Sequence, residues 1–336
     1  MQVSANPYVS VLGPPATAPS RLNLTQAFNS LGTFIAPYFG SLLILSTAAK
    51  KPSEIRSMAP AVLQAYRLHE AATVKFPYLL IAVALVALAA VIAAYRLPQI
   101  STAPDTVESE DPNSRTAITL WRQRHLILGV LGIFVYVGAE VAIGSFLVNY
   151  FSQPDIGAMT EKAAAVYVSF YWGFAMIGRF IGSAVLQKME ANKLLGLVAI
   201  AAFALVALSM LTFGHLAMWS IILVGLFNSV MFPSIFTLGI AGLGPLTGKG
   251  SGLLVAAIVG GAIIPVAEGA LADRIGIHHA FILPALCYIY IAYYGFVGSK
   301  QIRAHSPGET SRLASLSQAR AVTLWSTTPL SWSSSR

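Results

Sequence analysis

Six polar side chains set into otherwise apolar stretches could do chemistry: Gln26, Asn29, Glu140, Tyr171, Asn228 and Glu268. An amide offers both a donor and an acceptor, and a carboxyl can accept hydrogen bonds or carry a proton. Groups of this kind can contact a substrate, line a cavity or bond one helix to another. An enzyme would need a paired catalytic constellation, and the sequence shows none. There is no HExxH sequence, no Cys/His cluster and no Gly-rich phosphate loop after a strand. His278 and His279 are adjacent, so on a helix they diverge and cannot share a metal ion. Cys287 is the single cysteine, which excludes an intrachain disulfide and a thiolate metal site. The sequence predicts no catalysis, no metal and no cofactor.

The helices that carry these residues are legible from periodicity. In the run Arg21–Thr47, a turn of about 100° per residue gathers Asn23, Gln26, Asn29, Ser30, Thr33 and Gly40 on one arc. Leu24, Phe28, Leu31, Ile35, Phe39 and Leu42 fall on the opposite face. In hydrocarbon such a polar stripe must find protein partners or line a wet cavity. Glu140 sits mid-way along FVYVGAEVAIGSFLVNYF, where a charge costs about 2.5–3.5 kcal/mol on insertion scales. It is expected to contact substrate or exchange a proton; a protonated hydrogen bond between helices is the alternative. Gly129, Gly132, Tyr136 and Gly144 share its face. In the next span Tyr167, Tyr171, Phe174, Gly178 and Gly182 share a face, with Tyr171 as a wall for a sugar ring or as packing. The Gly178/Gly182 pair permits close helix approach. Arg179, followed by Lys188 and Lys193, reads as a cytoplasmic end.

Asn228 is an isolated amide five residues before Pro233, which removes a backbone hydrogen bond and kinks the helix. It reads as a cavity residue or an interhelical bond. Gly260, Gly261 and Pro265 weaken a later helix where bending during gating would be useful. Glu268 lies nearer the outer surface, as a proton or gating group or as a carboxyl that snorkels to the interface.

Composition places all of this in a membrane. The chain is 56% hydrophobic and 10% charged, against about a quarter charged in soluble domains, and its mean hydropathy is +0.70. The expected fold is all-α and polytopic, with about eight membrane helices. Residues 22–97 hold two spans, 98–124 form a polar linker, and 125–299 hold six spans. Those six fall near 125–151, 163–187, 193–214, 217–243, 251–272 and 277–299. The span 76–95 is almost pure Ala, Val, Leu and Ile, a scaffold against lipid; roughly 57–72 reads as an interfacial helix. Residues 1–21 read as the end of a helix and a Pro-rich connection, and 300–336 as a disordered tail. Lys and Arg concentrate in the linker, the later inner loops and the tail, while the opposite loops hold only Lys162 and Arg274. This puts the tail in the cytoplasm, although Lys50, Lys51, Arg56, Arg67 and Lys75 run against the pattern. The net charge of +8 is spread between spans, which speaks for anionic lipid rather than nucleic acid. The last six spans divide into two groups of three, each opening with a helix that carries one central polar residue, as in transporters with internal repeats.

Several stretches resemble one family. QVSANPYVSVLGPP, RLNLTQAFNSLGTFIAP, YVGAEVAIGSFLVNYF, YWGFAMIGRFIGSAVLQ and EGALADRIGIHHAFILPALCY are similar to the L-fucose/proton symporters and glucose/galactose permeases of the major facilitator superfamily. The resemblance runs over about residues 1–299. It implies alternating-access transport of a monosaccharide, coupled to protons in many members, at the plasma membrane. Gln26 and Asn29 match positions that line the family's sugar cavity. Gln2 matches a fourth-helix site that is a glutamate in the fucose symporters, and a glutamine there cannot titrate. RLNLTQAFNSLG matches the fifth helix, so the resemblance implies a truncated fold lacking the first three helices, the first-helix aspartate and most of the fourth. The alternative expectation is a truncated, non-transporting membrane protein or a partner subunit. Oligomeric state is not legible.

Overall fold

The computed structural model describes residues 2–44, 58–73, 75–94 and 120–300. Among these the chain is helical throughout: α1 (Gln2–Val11), α2 (Ala18–Ile44), α3 (Pro60–Thr73) and α4 (Lys75–Ala94). Then follow α5 (Arg124–Phe151), α6 (Glu161–Val185), α7 (Ala191–Leu211), α8 (Gly214–Asn228) and α9 (Met231–Ile240). Last come α10 (Thr247–Ala256), α11 (Gly260–Ile275), α12 (Ile277–Ala280) and α13 (Ile282–Tyr293). No strand occurs among the described residues. Most of the expected linker and nearly all of the tail lie outside them.

Six segments among the described residues are long and apolar enough to cross a bilayer. They correspond to the six spans expected after the linker. With 28 residues, α5 is about 42 Å long at 1.5 Å per residue, more than the roughly 30 Å hydrocarbon core. The apolar part of α4, Tyr78–Ala94, is shorter, so the expected total of eight is met in full only for the later six. The side chains of 78–94 are all exposed.

Two of the six spans are broken where breaker residues stand. The helix bearing Asn228 stops there and restarts as α9 at Met231, with Pro233 in the first turn of the new helix. The next span changes to a 3-10 turn at Ala257–Val259 between α10 and α11, and Pro265 lies inside α11. At the other end of the chain Arg21 closes α1. Its guanidinium donates to the carbonyls of Ser10 (2.8 Å), Pro14 (3.0 Å) and Val9 (3.3 Å). It thereby satisfies carbonyls that the end of α1 leaves without helical partners.

Helices in lipid gain little from apolar contact and associate through close packing and hydrogen bonds. α11 packs along α5, α8 along α6 and α7, and α2 along α6. Backbone proximity is enforced by small residues. A side chain at Gly260 would collide with the backbone of Phe134, one at Gly178 with Leu226 and Ser229, and one at Gly182 with Val230. Near the α5 end that carries Phe151, polar bonds hold α5, α7 and α12 together. His278 Nε2 meets the carbonyl of Met210 at 2.8 Å, and its Nδ1 meets the Tyr150 hydroxyl at 3.1 Å. A carbonyl only accepts, so Nε2 carries a proton.

Candidate functional site

A cavity of about 180 Å³ lies where α2 faces the later helices. That is several water volumes at roughly 30 Å³ each. Gln26 and Asn29 of α2, Val137 and Glu140 of α5, Arg179 of α6, Phe232 and Pro233 of α9, and Ile258 line it. Three of the residues singled out as substrate contacts therefore meet in one place, with Pro233 beside them. The period of α2 explains its share. Leu24, Phe28 and Leu31 are exposed on the outer side, and Asn23 is buried against α6, donating Nδ2 to the carbonyl of Arg179 at 2.7 Å. Gln26 lies one turn further along, and its Nε2 reaches Asn6 Oδ1 of α1 at 3.4 Å.

Arg179 also lines the cavity. It stands six residues before α6 finishes, about 9 Å inside the helix at 1.5 Å per residue. It is held there by α2: Nη1 donates to the carbonyl of Gln26 at 3.0 Å. Its Nε is buried and has no hydrogen-bond partner. Glu140 has the matching vacancy, a buried Oε1 without a donor. No direct salt bridge joins them; among the described residues the one ion pair is Lys193–Glu190, on the surface at 3.0 Å. The cavity is lined by a guanidinium, a carboxyl, two amides and an aromatic ring. A sugar hydroxyl, which both donates and accepts, can answer each of them. The signal for Arg179 in the sequence was its distance from the loop lysines, too far for an interfacial charge. Phe232 carried only a shared helix face with Asn228.

Asn228 and Tyr171 are not in the cavity lining. Both are fully buried and bonded to one another: Asn228 Nδ2 donates to the Tyr171 hydroxyl at 2.9 Å. The Tyr288 hydroxyl donates to Asn228 Oδ1 at 2.8 Å, and the Tyr136 hydroxyl to its backbone carbonyl at 3.0 Å. The amide links α8 to α6 and α13, and Tyr136 adds α5. The interhelical bond, one of two readings for Asn228, describes its geometry.

Glu268 does not snorkel. It is 1% exposed, with neither carboxylate oxygen hydrogen-bonded. Gly260 sits under Phe134, and Gly261 packs near Val137 and Val141 of α5. Among the described residues no group of three or more His, Cys, Asp and Glu could hold a metal ion. Asn23-Leu24-Thr25 matches an N-glycosylation sequence, and the Asn23 side chain is buried.

The profile of the Major Facilitator Superfamily matches residues 1–259. The chain belongs to that superfamily. A glucose/galactose transporter of Brucella abortus is 50% identical over 302 residues, covering 89% of this chain and 68% of the relative. The L-fucose-proton symporter of Escherichia coli is 35% identical over 293 residues, covering 87% of this chain and 67% of the relative. A crystal structure of the Escherichia coli fucose:proton symporter superposes with a TM-score of 0.83 at 34% identity, over 88% of this chain and 72% of that one. A second structure of that transporter, in the outward conformation, gives 0.82. The helical fold and the resemblance read from the sequence are those of this major facilitator group.

Proposed function

We propose that this chain carries a monosaccharide of the fucose, glucose or galactose type across the membrane through the α2-facing cavity, by alternating access. The observation that carries the reading is that Gln26 and Asn29 of α2 share one cavity with Glu140 and Arg179 of the later six-span bundle. A solute bound there touches both sides at once, so its binding can bias how α2 and its neighbours move against the bundle. The family and its sugar-transporting relatives support a carrier rather than an enzyme. The substrate is a small sugar, the surroundings are lipid, and protons are the co-substrate suggested by the symporter relatives. We place the protein in the plasma membrane with the tail in the cytoplasm, following the Lys/Arg distribution. Residues 98–124 then form the cytoplasmic linker between the two bundles. Pro233, Gly260, Gly261 and Pro265 supply bending during switching.

Uptake of labelled hexose into proteoliposomes tests the reading. Gln26→Ala and Asn29→Ala should each lower uptake about tenfold, the effect of losing one good hydrogen bond of roughly 1.4 kcal/mol. Uptake equal to the unsubstituted chain in both variants would remove these residues from the substrate path.

A further inference from the structure

Glu268 combines two properties that exclude the ordinary explanations for an acid in a membrane helix. It is buried, so it does not reach water at the interface, and it has no hydrogen-bond partner, so it does not join helices. An ionised carboxylate can accept about four hydrogen bonds, and here it receives none. A buried ion without partners is strongly disfavoured, and the group neutralises instead by taking a proton. Even as a neutral acid it leaves a donor and an acceptor unanswered within the protein.

Among the described residues no cation acts on it. On α11 itself, Asp273 and Arg274 are exposed and more than one turn on. From the packed elements come Glu140, Tyr136 and Tyr150 on α5 and His278 on α12, with His279 beside it exposed. Cys287 of α13 and Tyr171 of α6 lie within its electrostatic reach. Tyr171 is within reach of Glu140 as well.

The backbone nearby is built to bend. The helix changes to a 3-10 turn at Ala257–Val259, and Pro265, one turn before Glu268, gives no N–H to the carbonyl of Gly261. Val266 and Ala267 face outward, so movement about Pro265 would turn the buried face that holds Glu268.

We propose that Glu268 is a second proton-binding site, inside the six-span bundle and separate from the sugar cavity. It exchanges its proton with water when α11 bends between residues 257 and 265. The step is a simple dissociation: the proton passes from a carboxyl oxygen to water, leaving a carboxylate that is reprotonated before α11 closes. The use of that proton for transport rests on the carrier reading, but the site itself does not.

Infrared spectroscopy of the full chain in lipid vesicles tests it without any uptake measurement. At neutral pH the unsubstituted chain should show a carboxylic-acid carbonyl band that persists in Glu140→Gln and is lost in Glu268→Gln. The band should shift in heavy water within minutes and weaken as the pH is made alkaline. The exchange and titration are read on the unsubstituted chain and on Glu140→Gln, so they do not depend on folding of the Glu268 variant. Absence of such a band in both overturns the proposal. So does a band that responds to neither heavy water nor pH, which would mark a sealed structural acid. In vesicles, Glu268→Gln should retain exchange of labelled sugar while losing accumulation driven by a proton gradient. Loss of exchange in the unsubstituted chain would count against the carrier reading alone.

Discussion

Arg179 and Gln26 meet twice: the guanidinium Nη1 donates to the backbone carbonyl of Gln26 at 3.0 Å, and both side chains line the same cavity. A solute that engages the guanidinium therefore acts on a group that also ties α6 to α2. Binding and helix contact share one cation, which is a direct route from an occupied cavity to a moving seam.

Arg179→Lys is the sharpest test of that sharing. Lysine keeps the charge but places three donors on one nitrogen, whereas arginine spreads five over a planar fork. It cannot serve the Gln26 carbonyl and a sugar hydroxyl with the same spacing. A hydrogen bond to a charged group contributes about 1.5–3 kcal/mol, so sugar affinity should fall about tenfold or more, and further in Arg179→Ala. Equilibrium binding of labelled hexose to the purified protein measures this. Unchanged affinity in Arg179→Lys would show that the guanidinium serves the seam and not the solute.

The parts of this arrangement that follow from a single helix were legible in the sequence. The arc that carries Gln26 and Asn29 is a matter of helical period, and the structure puts Leu24, Phe28 and Leu31 opposite it. The breaks near Asn228 and before Gly260 follow from proline and glycine chemistry. What was not legible depends on partners distant in the chain. Asn228 is answered by Tyr288, 60 residues away, and Tyr136, 92 away. Arg179 is held by Gln26, 153 residues away. An amide in a greasy helix looks the same from its own sequence whether it waits for a ligand or for two tyrosines. The depth of Glu268 likewise depends on how α11 lies along α5, which local hydropathy does not encode.

The seam between α2 and α6 is also held by Ser20 and Ser183. Ser20 Oγ donates to the carbonyl of Ser183 at 2.7 Å, Ser183 Oγ donates to that of Ser20 at 3.1 Å, and the two oxygens are 3.2 Å apart. Beside them Gly182 lets Asn23 and Val230 approach. Ser20→Cys combined with Ser183→Cys should oxidise readily to a disulfide, because the two side chains already converge. Locking the seam should reduce hexose uptake to background, with recovery on adding a thiol reductant. Cys287 is buried and will not compete. Full uptake by the cross-linked protein would mean that α2 and α6 do not separate during transport.

Asn228→Ala tests whether that residue holds helices or holds solute. Both ends of its amide are engaged: Nδ2 donates to Tyr171 at 2.9 Å and Oδ1 accepts from Tyr288 at 2.8 Å. Removing it leaves two tyrosine hydroxyls without that partner in a fully buried setting. A buried polar group left unsatisfied costs about 1–3 kcal/mol, and measured interhelical bonds in membranes reach about 1.7 kcal/mol. The variant should therefore unfold at a lower temperature or detergent concentration, while hexose affinity changes less than in Gln26→Ala. The opposite ranking, with affinity lost and stability intact, would return Asn228 to the substrate path and imply that the tyrosine cluster opens toward the cavity in another state of the cycle.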